Sequence, residues 1–421
     1  MQKRLTAVNS VDWMLLGLLV ILVLIGLGSI YTVTHDISFN YNTSTNFSKQ
    51  CLWALLAFFI GVLILFTGTR FYKVLAHVLY FVVLLILLST LVLGTDVKGH
   101  NAWIKFGSVY LQPTEFAKLA SSLSIAKLFD DDLIKSVSFK TRFLLILVIA
   151  LPVLFTLLQK DLGSSLVFCS FIVVFYREHI FTKCILISLF ICIISIIALF
   201  VPHDYILIAV VSITLLIICL LKGSVKGTIV ALFISIVTLI LVELVDLFVD
   251  NVLKPHQQNR IKALINPNID PKGIGWNVVQ SKIAIGSGGL WGKGFLKGTQ
   301  TQYKFVPKQH TDFVFCAIGE EYGWIGCFLV ISLFLFFILR IIYIAERQRI
   351  RFARVYAYAV ASILFFHFVI NVGMTIGLMP VIGIPLPFIS YGGSSLLTFI
   401  SMIFILLKLD SERKEYIYRE V

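Results

Sequence analysis

The chain has 421 residues, of which 59% are hydrophobic and only 14% are charged. Soluble domains have about 45–50% apolar and about 25% charged residues, so this composition excludes a soluble globular protein. The formal net charge of +13 would suit a nucleic-acid-binding protein, but in so apolar a chain it indicates contact with anionic lipid head groups or phosphates, and we expect no nucleic-acid partner.

Apolar runs of about twenty residues recur along the chain, and each is long enough to cross a hydrocarbon core of about 30 Å. The pattern predicts an all-α, polytopic helical membrane protein that forms one domain over residues 1–421, with 10–12 transmembrane helices. The first span is followed by others, so it is interpreted as an anchor and not as a cleaved signal peptide. The predicted spans are 13–34, 50–68, 73–95, 110–129, 142–158, 162–177, 183–201, 204–222, 228–252, 312–340, 355–378 and 390–408.

Lysine and arginine are concentrated in alternate loops between these spans, and such loops tend to remain in the cytoplasm. The opposite loops, 35–48 and 201–205, carry none. Both termini are therefore predicted to be cytoplasmic. The Lys- and Arg-rich segments are 1–4, 69–73, 127–142, 176–183, 222–226, 340–354 and the tail after 407.

One long loop, residues 254–311, falls on the predicted outer side and breaks this pattern. It holds nine lysines and arginines, yet Asp270 is the only acidic residue between Asp250 and Asp312. Long loops translocate largely regardless of charge, so the predicted orientation stands. The loop is interpreted either as a solvated basic surface or as a positive field that holds an anionic ligand at the membrane. Its GSGGLWGKG passage is not a P-loop, because Gly294 follows GK where Ser or Thr is needed.

Ionisable residues inside predicted spans are costly in a membrane and are therefore candidate functional residues. Glu115 and Lys118 lie three residues apart, on one helical face. They are interpreted either as a self-neutralising ion pair or as the lining of a polar cavity. Pro113 before them suits the first turn of a helix. Asp161 interrupts two apolar runs, where it either caps a tight re-entry or lines an outward-facing site.

Residues 378–395 contain three prolines and three glycines in what would otherwise be apolar spans. Non-helical backbone at membrane depth is tolerated only where it is buried in protein or lines a cavity, so this segment predicts a re-entrant wall of a site. His310 and Asp312 lie in no HExxH motif or ligand cluster, so no dedicated metal site is predicted there. Of Glu320 and Glu321, one is expected to face the interior of the bundle.

Five passages, in order along most of the chain, together resemble one family. They are GHNAWIKFGSVYLQPTEFAKL (99–119), QKDLGSS (159–165), DPKGIGWNVVQSKIAIGSGGLWGKG (270–294), FVPKQHTDFVFCAIGEEYG (305–323) and GIPLPFISYGGSS (383–395). They resemble the signature blocks of the SEDS proteins (shape, elongation, division and sporulation), bacterial membrane glycosyltransferases that polymerise peptidoglycan from lipid II. The GKGFLKGTQTQ passage is more similar to the rod-shape branch, RodA, than to the division branch, FtsW.

The resemblance implies roles for residues at matching positions. Asp270 matches the catalytic loop aspartate, and Trp103 matches a tryptophan that the family needs in an earlier outer loop. Glu115 and Lys118 match paired charges beneath the cavity, and Asp161 matches the acid of a QPDLG block. The resemblance also implies location in the bacterial inner membrane.

Other candidate substrate-binding residues follow from the charge of the expected substrate. Lipid II carries a diphosphate, which lysines of the outer loop or a divalent cation (Mg or Mn) would hold; no cofactor is certain. The sequence does not choose among these groups. The candidates are Lys262, Lys272, Lys282 and Lys293, to which His310 and Ser390 of the signature blocks are added.

Two departures from the family pattern stand out. Lys160 takes the place of the usual proline before Asp161, which changes the local turn. Family members typically have ten spans and twelve are predicted here; the surplus is interpreted as a hairpin near 183–222, which preserves the orientation of the long loop. The other interpretation is that the boundaries are wrong and the count is ten.

The chemistry of polymerisation fits the long loop. Attack of an acceptor 4-hydroxyl on C1 of the donor sugar needs a base, and the leaving diphosphate needs positive charge; one carboxylate in a basic loop supplies both. Asp270 is therefore expected to be the general base of an inverting displacement. Pro271 keeps Asp270 extended, although Asp-Pro is also a common turn.

Two other function classes remain open at this point. A lipid II flippase would also carry intramembrane charges and re-entrant loops, although no inverted repeat is evident. A scaffold that recruits a partner would not explain the solitary acid. The chain lacks the SxxK, SxN and KTG set on a soluble domain, so the resemblance implies a class B penicillin-binding protein (a transpeptidase) as partner, together with other membrane proteins of the elongation machinery.

Overall fold

The computed structural model describes most of the chain, in several stretches. The described residues are 11–35, 45–97, 100–107, 109–131, 138–220, 224–247, 249, 251, 258, 260 and 274–419.

The protein is built of helices, as the sequence predicts, with one small sheet after the third helix. The first elements are α1 (Trp13–Thr34), α2 (Thr45–Phe66), α3 (Thr69–Leu93), β1 (Thr95–Val97), β2 (His100–Phe106), β3 (Val109–Leu111), α4 (Pro113–Asp131), α5 (Phe139–Leu158), α6 (Leu162–Val167) and α7 (Ile172–Arg177). The remaining ones are α8 (Thr182–Phe200), α9 (His203–Leu220), α10 (Val225–Leu247), α11 (Ile274–Ser287), α12 (Thr299–Gln302), α13 (Val314–Glu346), α14 (Arg351–Ile376) and α15 (Gly393–Arg419).

Within the described stretches, ten helices are long and apolar enough to cross a membrane: α1, α2, α3, α5, α8, α9, α10, α13, α14 and α15. These agree with ten of the twelve predicted spans. The predicted span 110–129 is the helix α4, which is less apolar and mostly buried. The predicted span 162–177 is broken, because a 3₁₀ turn at Phe168–Phe171 separates α6 from α7.

The described residues divide into two compact units, each described by itself: residues 1–174 with 277–421, and residues 175–276. In the larger unit, α14 and α15 are the most buried of the long helices. Helix α14 packs on α4 and α13, and α15 packs on α2. The core of this unit therefore lies along α4, α14 and α15, which carry the candidate site.

The sheet occupies the segment before α4 and contains one of the predicted site residues. Its strands are antiparallel in the order β1-β2-β3, with Thr95 opposite Trp103 and Ile104 opposite Leu111. Pro113 begins α4 two residues after β3 ends, as the sequence predicts. Strand β2 contacts α3 and α4, so the sheet fixes the start of α4.

The start of α1 is anchored by a charge network at Asp12. Its carboxylate caps α1 by accepting from Leu15 N at 3.0 Å and pairs with Arg340 at 2.8 Å and Arg347 at 2.9 Å. Arg347 also pairs with Asp410 of α15. Burial alone would raise the pKa of Asp12. The hydrogen bonds from Arg340 and Leu15 and the two arginine charges outweigh burial, so the pKa of Asp12 lies below its ordinary value of 3.8.

Candidate active site

An ion pair on α4 forms the polar centre of the larger unit. Lys118 Nζ lies 2.7 Å from Glu115 Oε2 and 2.9 Å from His367 Nε2 on α14. The three residues are buried, with exposed fractions of 0%, 2% and 1% for Lys118, Glu115 and His367. An ammonium group can only donate, so His367 accepts at Nε2 and carries its proton on Nδ1. Glu115 and Lys118 therefore form the ion pair that was one interpretation of the sequence, and His367 joins them.

His367 links this charge pair to the re-entrant segment, which we define as residues 377–392 between α14 and α15. His367 Nδ1 donates to the carbonyl oxygen of Pro385 at 3.1 Å. The ring of Phe399 packs edge-on against His367, at 5.1 Å between ring centroids, and lies 5.3 Å from Lys118 Nζ. Phe399 thus packs beside both Lys118 and His367, and His367 connects the charge pair to one backbone carbonyl of the segment.

Asn371 holds the same segment one turn further along α14. Its Nδ2 donates to the carbonyl oxygens of Ile384 at 2.7 Å and Asp312 at 2.9 Å. Inside the segment, Ser390 Oγ accepts from Leu386 N at 2.9 Å. Irregular backbone inside an apolar bundle requires partners of this kind, because no helix satisfies its polar groups. The predicted re-entrant wall is therefore irregular backbone held by buried side chains.

The far end of the re-entrant segment is bound by Gln50 of α2 and by His310. Gln50 Nε2 donates to Ser390 O at 3.4 Å, and Gly392 N donates to Gln50 Oε1 at 3.2 Å. Tyr391 N donates to His310 O at 2.8 Å, and the rings of His310 and Tyr391 lie 5.7 Å apart. Ser390 and His310 were both predicted to bind substrate. Ser390 is a buried residue of the re-entrant segment, whereas His310 precedes α13 and contacts the segment at Tyr391.

Asp161 caps α6 and also contacts the residue before α4. Its Oδ1 accepts from Ser164 N at 3.0 Å, and its Oδ2 accepts from Ser164 Oγ at 2.7 Å and Gln112 Nε2 at 2.9 Å. Gln112 lies one turn before Glu115. The capping interpretation of Asp161 is therefore observed, and the same carboxylate borders the polar centre.

The turn before Asp161 has an unusual backbone. Lys160, which stands where the family usually has proline, has a φ of 63°, in the left-handed region that few residues other than glycine adopt. On the other side of Asp161, Gly163 packs against the re-entrant segment, since a Cβ there would lie 3.2 Å from the Ile382 carbonyl oxygen. The turn therefore brings α6 against that segment.

Trp103 lies on the central strand β2 and not in the polar centre. Its carbonyl oxygen accepts from Thr95 Oγ1 at 3.1 Å, and its side chain is half-buried. The sheet therefore fixes the backbone at Trp103 while the indole remains partly exposed.

Helix α13 breaks at Gly323, and the break binds the glycine-rich segment, which we define as residues 286–298. Gly323 has φ 63° and ψ −159°, a conformation that is essentially restricted to glycine. Below the break, the carbonyls of Glu320 and Glu321 accept from Lys293 N at 3.0 Å and Gly294 N at 2.9 Å. Beyond it, Trp324 N donates to the Gly289 carbonyl at 2.9 Å. The glycine-rich segment thus supplies hydrogen-bond partners for the backbone groups of α13 on both sides of the break.

The Glu320 side chain anchors the end of this segment and the start of α12. It pairs with Lys293 Nζ at 2.7 Å and accepts from Gln300 N and Thr301 N, each at 2.8 Å. Glu320 and Glu321 are both buried, whereas the sequence predicted one. Lys293, predicted to bind the diphosphate, is engaged by Glu320, with about a quarter of its side chain exposed.

Lys282 lies on α11, against the end of α14. The end of its side chain, Cε and Nζ, occupies the space that a Cβ on Gly377 would need, and the neighbouring Ser281 Oγ donates to Thr375 O at 2.8 Å. Lys282 is an exposed residue, and its ammonium group lies at the start of the re-entrant segment.

Three predicted site residues, Asp270, Lys262 and Lys272, lie outside the described residues. Among the residues that are described, no group of three or more His, Cys, Asp or Glu side chains could hold a metal ion. The structure brings together Glu115, Lys118, Asp161, His310 and Ser390 around the re-entrant segment, with Lys282 at its start. Trp103 on the sheet and Lys293 at the break of α13 belong to other parts of the unit.

Sequence reasoning missed three residues that hold the site: His367, Asn371 and Gln50. His367 and Asn371 are polar residues inside the apolar helix α14, and this alone marks them as candidates. Gln50 stands at the predicted start of a span, where polar residues are ordinary, and nothing in the sequence indicates its contact with Ser390.

With this geometry established, comparisons with known proteins identify the family. Residues 9–212 and 182–415 match the model of the FtsW, RodA and SpoVE proteins, described as "Cell cycle protein". The chain belongs to this family. The SEDS resemblance is therefore confirmed. The two matched stretches overlap at residues 182–212, in α8 and the first half of α9.

Named relatives cover nearly all of the chain. Peptidoglycan glycosyltransferase MrdB of Escherichia coli (strain K12) is 33% identical over 346 residues, covering 82% of this chain and 80% of the relative. Peptidoglycan glycosyltransferase RodA of Treponema pallidum (strain Nichols) is 31% identical over 436 residues, covering 97% of this chain and 100% of the relative.

Solved structures of the family have the same fold. A chain described under the structural coordination of polymerization and crosslinking by a peptidoglycan synthase complex has a TM-score of 0.70 at 25% identity, covering 96% of this chain and 98% of that one. The rod shape determining protein RodA of Thermus thermophilus has a TM-score of 0.62 at 24% identity, covering 96% of this chain and 97% of that one. This second likeness shows the fold, and the multi-pass helical architecture is thereby confirmed.

Proposed function

We propose that this protein is a peptidoglycan glycosyltransferase that polymerises lipid II into glycan strands, in the branch that serves cell elongation and cell shape. The observation that carries the proposal is the extent of its likeness to named transferases. RodA of Treponema pallidum, itself named a peptidoglycan glycosyltransferase, aligns over 97% of this chain and 100% of its own length. The chain therefore contains the region that corresponds to a whole transferase.

The buried polar groups support an enzymatic site at the re-entrant segment. Glu115, Lys118 and His367 form one connected cluster that ends on Pro385 O. A catalytic constellation is precise when its walls are locked by packing and hydrogen bonds. The role proposed for the cluster is to hold the re-entrant segment rigid, as one wall of the site for the sugar and diphosphate of lipid II.

Asp270 is the proposed general base for the acceptor hydroxyl. A base of this kind contributes about 10²–10⁴-fold to a rate, and direct displacement at C1 then inverts the α-diphosphate linkage to a β-1,4 glycan. Lys282, Lys262 and Lys272, or a divalent cation, would neutralise the leaving diphosphate. Lys293 is a weaker candidate, since Glu320 already neutralises its charge at 2.7 Å.

A crosslinking partner is also proposed, on the evidence of one structural neighbour. A structural neighbour belongs to a synthase complex described as coordinating polymerization with crosslinking. That description supports a class B penicillin-binding protein as partner of this chain.

The test is polymerisation of purified lipid II by the purified protein, with and without a class B penicillin-binding protein. We expect glycan chains from the wild type and from Asp204→Asn, and a loss of about 10²-fold or more in Asp270→Asn that still folds and binds lipid II. Asp204 is the matched control, an exposed acid on α9 that is also predicted to lie on the outer side. Equal rates in the two variants would eliminate Asp270 as the base.

The lipid II flippase that the sequence left open is the less favoured function, because the relatives that align along the chain are named transferases. Wild-type protein that makes no polymer under either condition, but moves lipid II across a vesicle membrane, would reverse this preference.

A further inference from the structure

The smaller unit contains a groove that the proposed function does not use. Helices α8, α9 and α10 meet in a buried cluster of Ala198, Ile206 and Val242, near the turn at 201–205. Away from this cluster the helices separate and leave a groove of about 600 Å³. Pockets of about 300–1,000 Å³ commonly hold small ligands, so the groove is large enough for one lipid chain.

The groove is about one membrane leaflet long. It follows α10 from Lys226 to Thr238, which is about 18 Å at the rise of an α-helix. On α8 and α9 its lining begins at Ile194 and Val210, both packed against the closing cluster. Since the hydrocarbon core is about 30 Å thick, the groove runs from one membrane surface to the region of the midplane and stops there.

The wall of the groove offers almost no free polar group. Thr214 Oγ1 lies 2.5 Å from Ser235 Oγ, and both hydroxyls contact carbonyl oxygens of their own helices, at 2.6 Å to Val210 and 2.8 Å to Ala231. A ligand inside the groove therefore has to be apolar, because these hydroxyls already have partners.

The open end of the groove is basic. Lys226 lines it, and Lys183 lies in the first turn of α8 on the same predicted cytoplasmic side. The turn between α8 and α9, at the other end, is followed by Asp204, and there is no lysine or arginine between residues 200 and 221. An anionic head group is therefore favoured at the open end, where the cytoplasmic leaflet presents its phosphates.

We propose that this groove binds one acyl chain of an anionic glycerophospholipid from the cytoplasmic leaflet, with the phosphate at Lys226. A transmembrane helix of a partner would need a groove through the whole bilayer, and this groove closes half-way. A polyprenyl chain, far longer than one leaflet, would not fit below the closing cluster. The site lies among α8, α9 and α10 and does not depend on the transferase activity.

The proposal is tested by native mass spectrometry of the full-length protein, titrated in detergent with phosphatidylglycerol or phosphatidylcholine of equal chain length. We expect a first, tighter binding step for phosphatidylglycerol only. Lys226→Gln is expected to weaken that step about fivefold, whereas Lys183→Gln, the matched lysine that does not line the groove, is expected to change it less.

A second pair of variants tests the groove itself. Ala231→Leu fills its floor and is expected to abolish the first step, whereas Ala209→Leu, an exposed alanine of α9 outside the groove, is expected to retain it. Thermal unfolding of each variant shows that it folds. Equal affinities for the two lipids, with no effect of Lys226→Gln or Ala231→Leu, would overturn the proposal. A higher affinity for undecaprenyl phosphate than for phosphatidylglycerol in the first binding step would overturn it as well.

Discussion

Lys118 Nζ donates to His367 Nε2 across 2.9 Å, although the two residues are 249 positions apart in the chain. Lys118 is also paired with Glu115, so His367 receives a hydrogen bond from a charge that is already neutralised. Its other nitrogen holds the re-entrant segment at Pro385. The hydrogen bond to the segment and the one from Lys118 together require the tautomer of His367 that carries its proton on Nδ1.

Replacing His367 tests this coupling. His367→Phe removes one partner of the Lys118 ammonium and the side-chain donor to Pro385 O, so we expect a loss of about 1–3 kcal/mol of stability and a lower polymerisation rate. His367→Gln can both accept and donate and should recover part of each. Thermal unfolding in detergent and the lipid II assay measure the two effects, with Phe365→Leu on the exposed face of α14 as control. A His367→Phe variant with wild-type stability would contradict the coupling.

The ion pair itself should behave as a unit. Glu115→Gln leaves a buried Lys118 without its counter-charge, and Lys118→Met leaves a buried carboxylate, so each single change should cost about 3–5 kcal/mol. The double variant removes both charges and should lose less than the sum of the two. A double-mutant cycle of unfolding measures the difference, and strict additivity would mean that the two charges do not interact.

The network at Asp12 predicts how stability depends on pH. The pKa of Asp12 is lower in the folded protein than its ordinary value of 3.8. Ionised Asp12 therefore stabilises the fold above about pH 4, and this contribution is lost as the pH falls through the lower, folded pKa. Asp12→Asn should lower stability at neutral pH by about 1–3 kcal/mol and flatten the acid limb of the curve. Melting temperatures between about pH 6 and pH 3 test this, and a parallel shift of the whole curve would contradict the assignment.

Gly323 is expected to tolerate no side chain. Gly323→Ala would force a Cβ against the backbone of Leu290 and Gly292 in a conformation that costs other residues about 1–3 kcal/mol. We expect a lower melting temperature and faster proteolysis in the glycine-rich segment. Gly28→Ala on α1, where a Cβ would meet nothing, is the control and should be neutral or slightly stabilising. Unchanged cleavage in Gly323→Ala would show that the break in α13 does not need glycine.

Features of the fold that depend on neighbouring residues were predictable from the sequence. Pro113 marks the start of α4, and Asp161 caps α6, because a first-turn proline and a capping carboxylate act within three or four residues. Glu115 and Lys118 pair because helical spacing alone brings them together. The ten long apolar helices follow from length and composition.

Features that depend on distant residues were not predictable in the same way. Gln50 contacts Ser390 from 340 positions away, and no local pattern encodes that contact. The small sheet before α4 was missed because its strands are only three to seven residues long. Of Glu320 and Glu321, only one was expected to face the interior; both are buried, just before the break at Gly323.

The turn at Lys160 has a consequence for engineering. Proline has a φ near −65°, whereas Lys160 has a φ of 63°, so restoring the proline usual in the family would require the turn to be rebuilt. Consensus substitution, which often stabilises a protein by restoring common residues, should therefore fail at this position. Glycine, which accepts a positive φ freely, is the replacement that this turn permits.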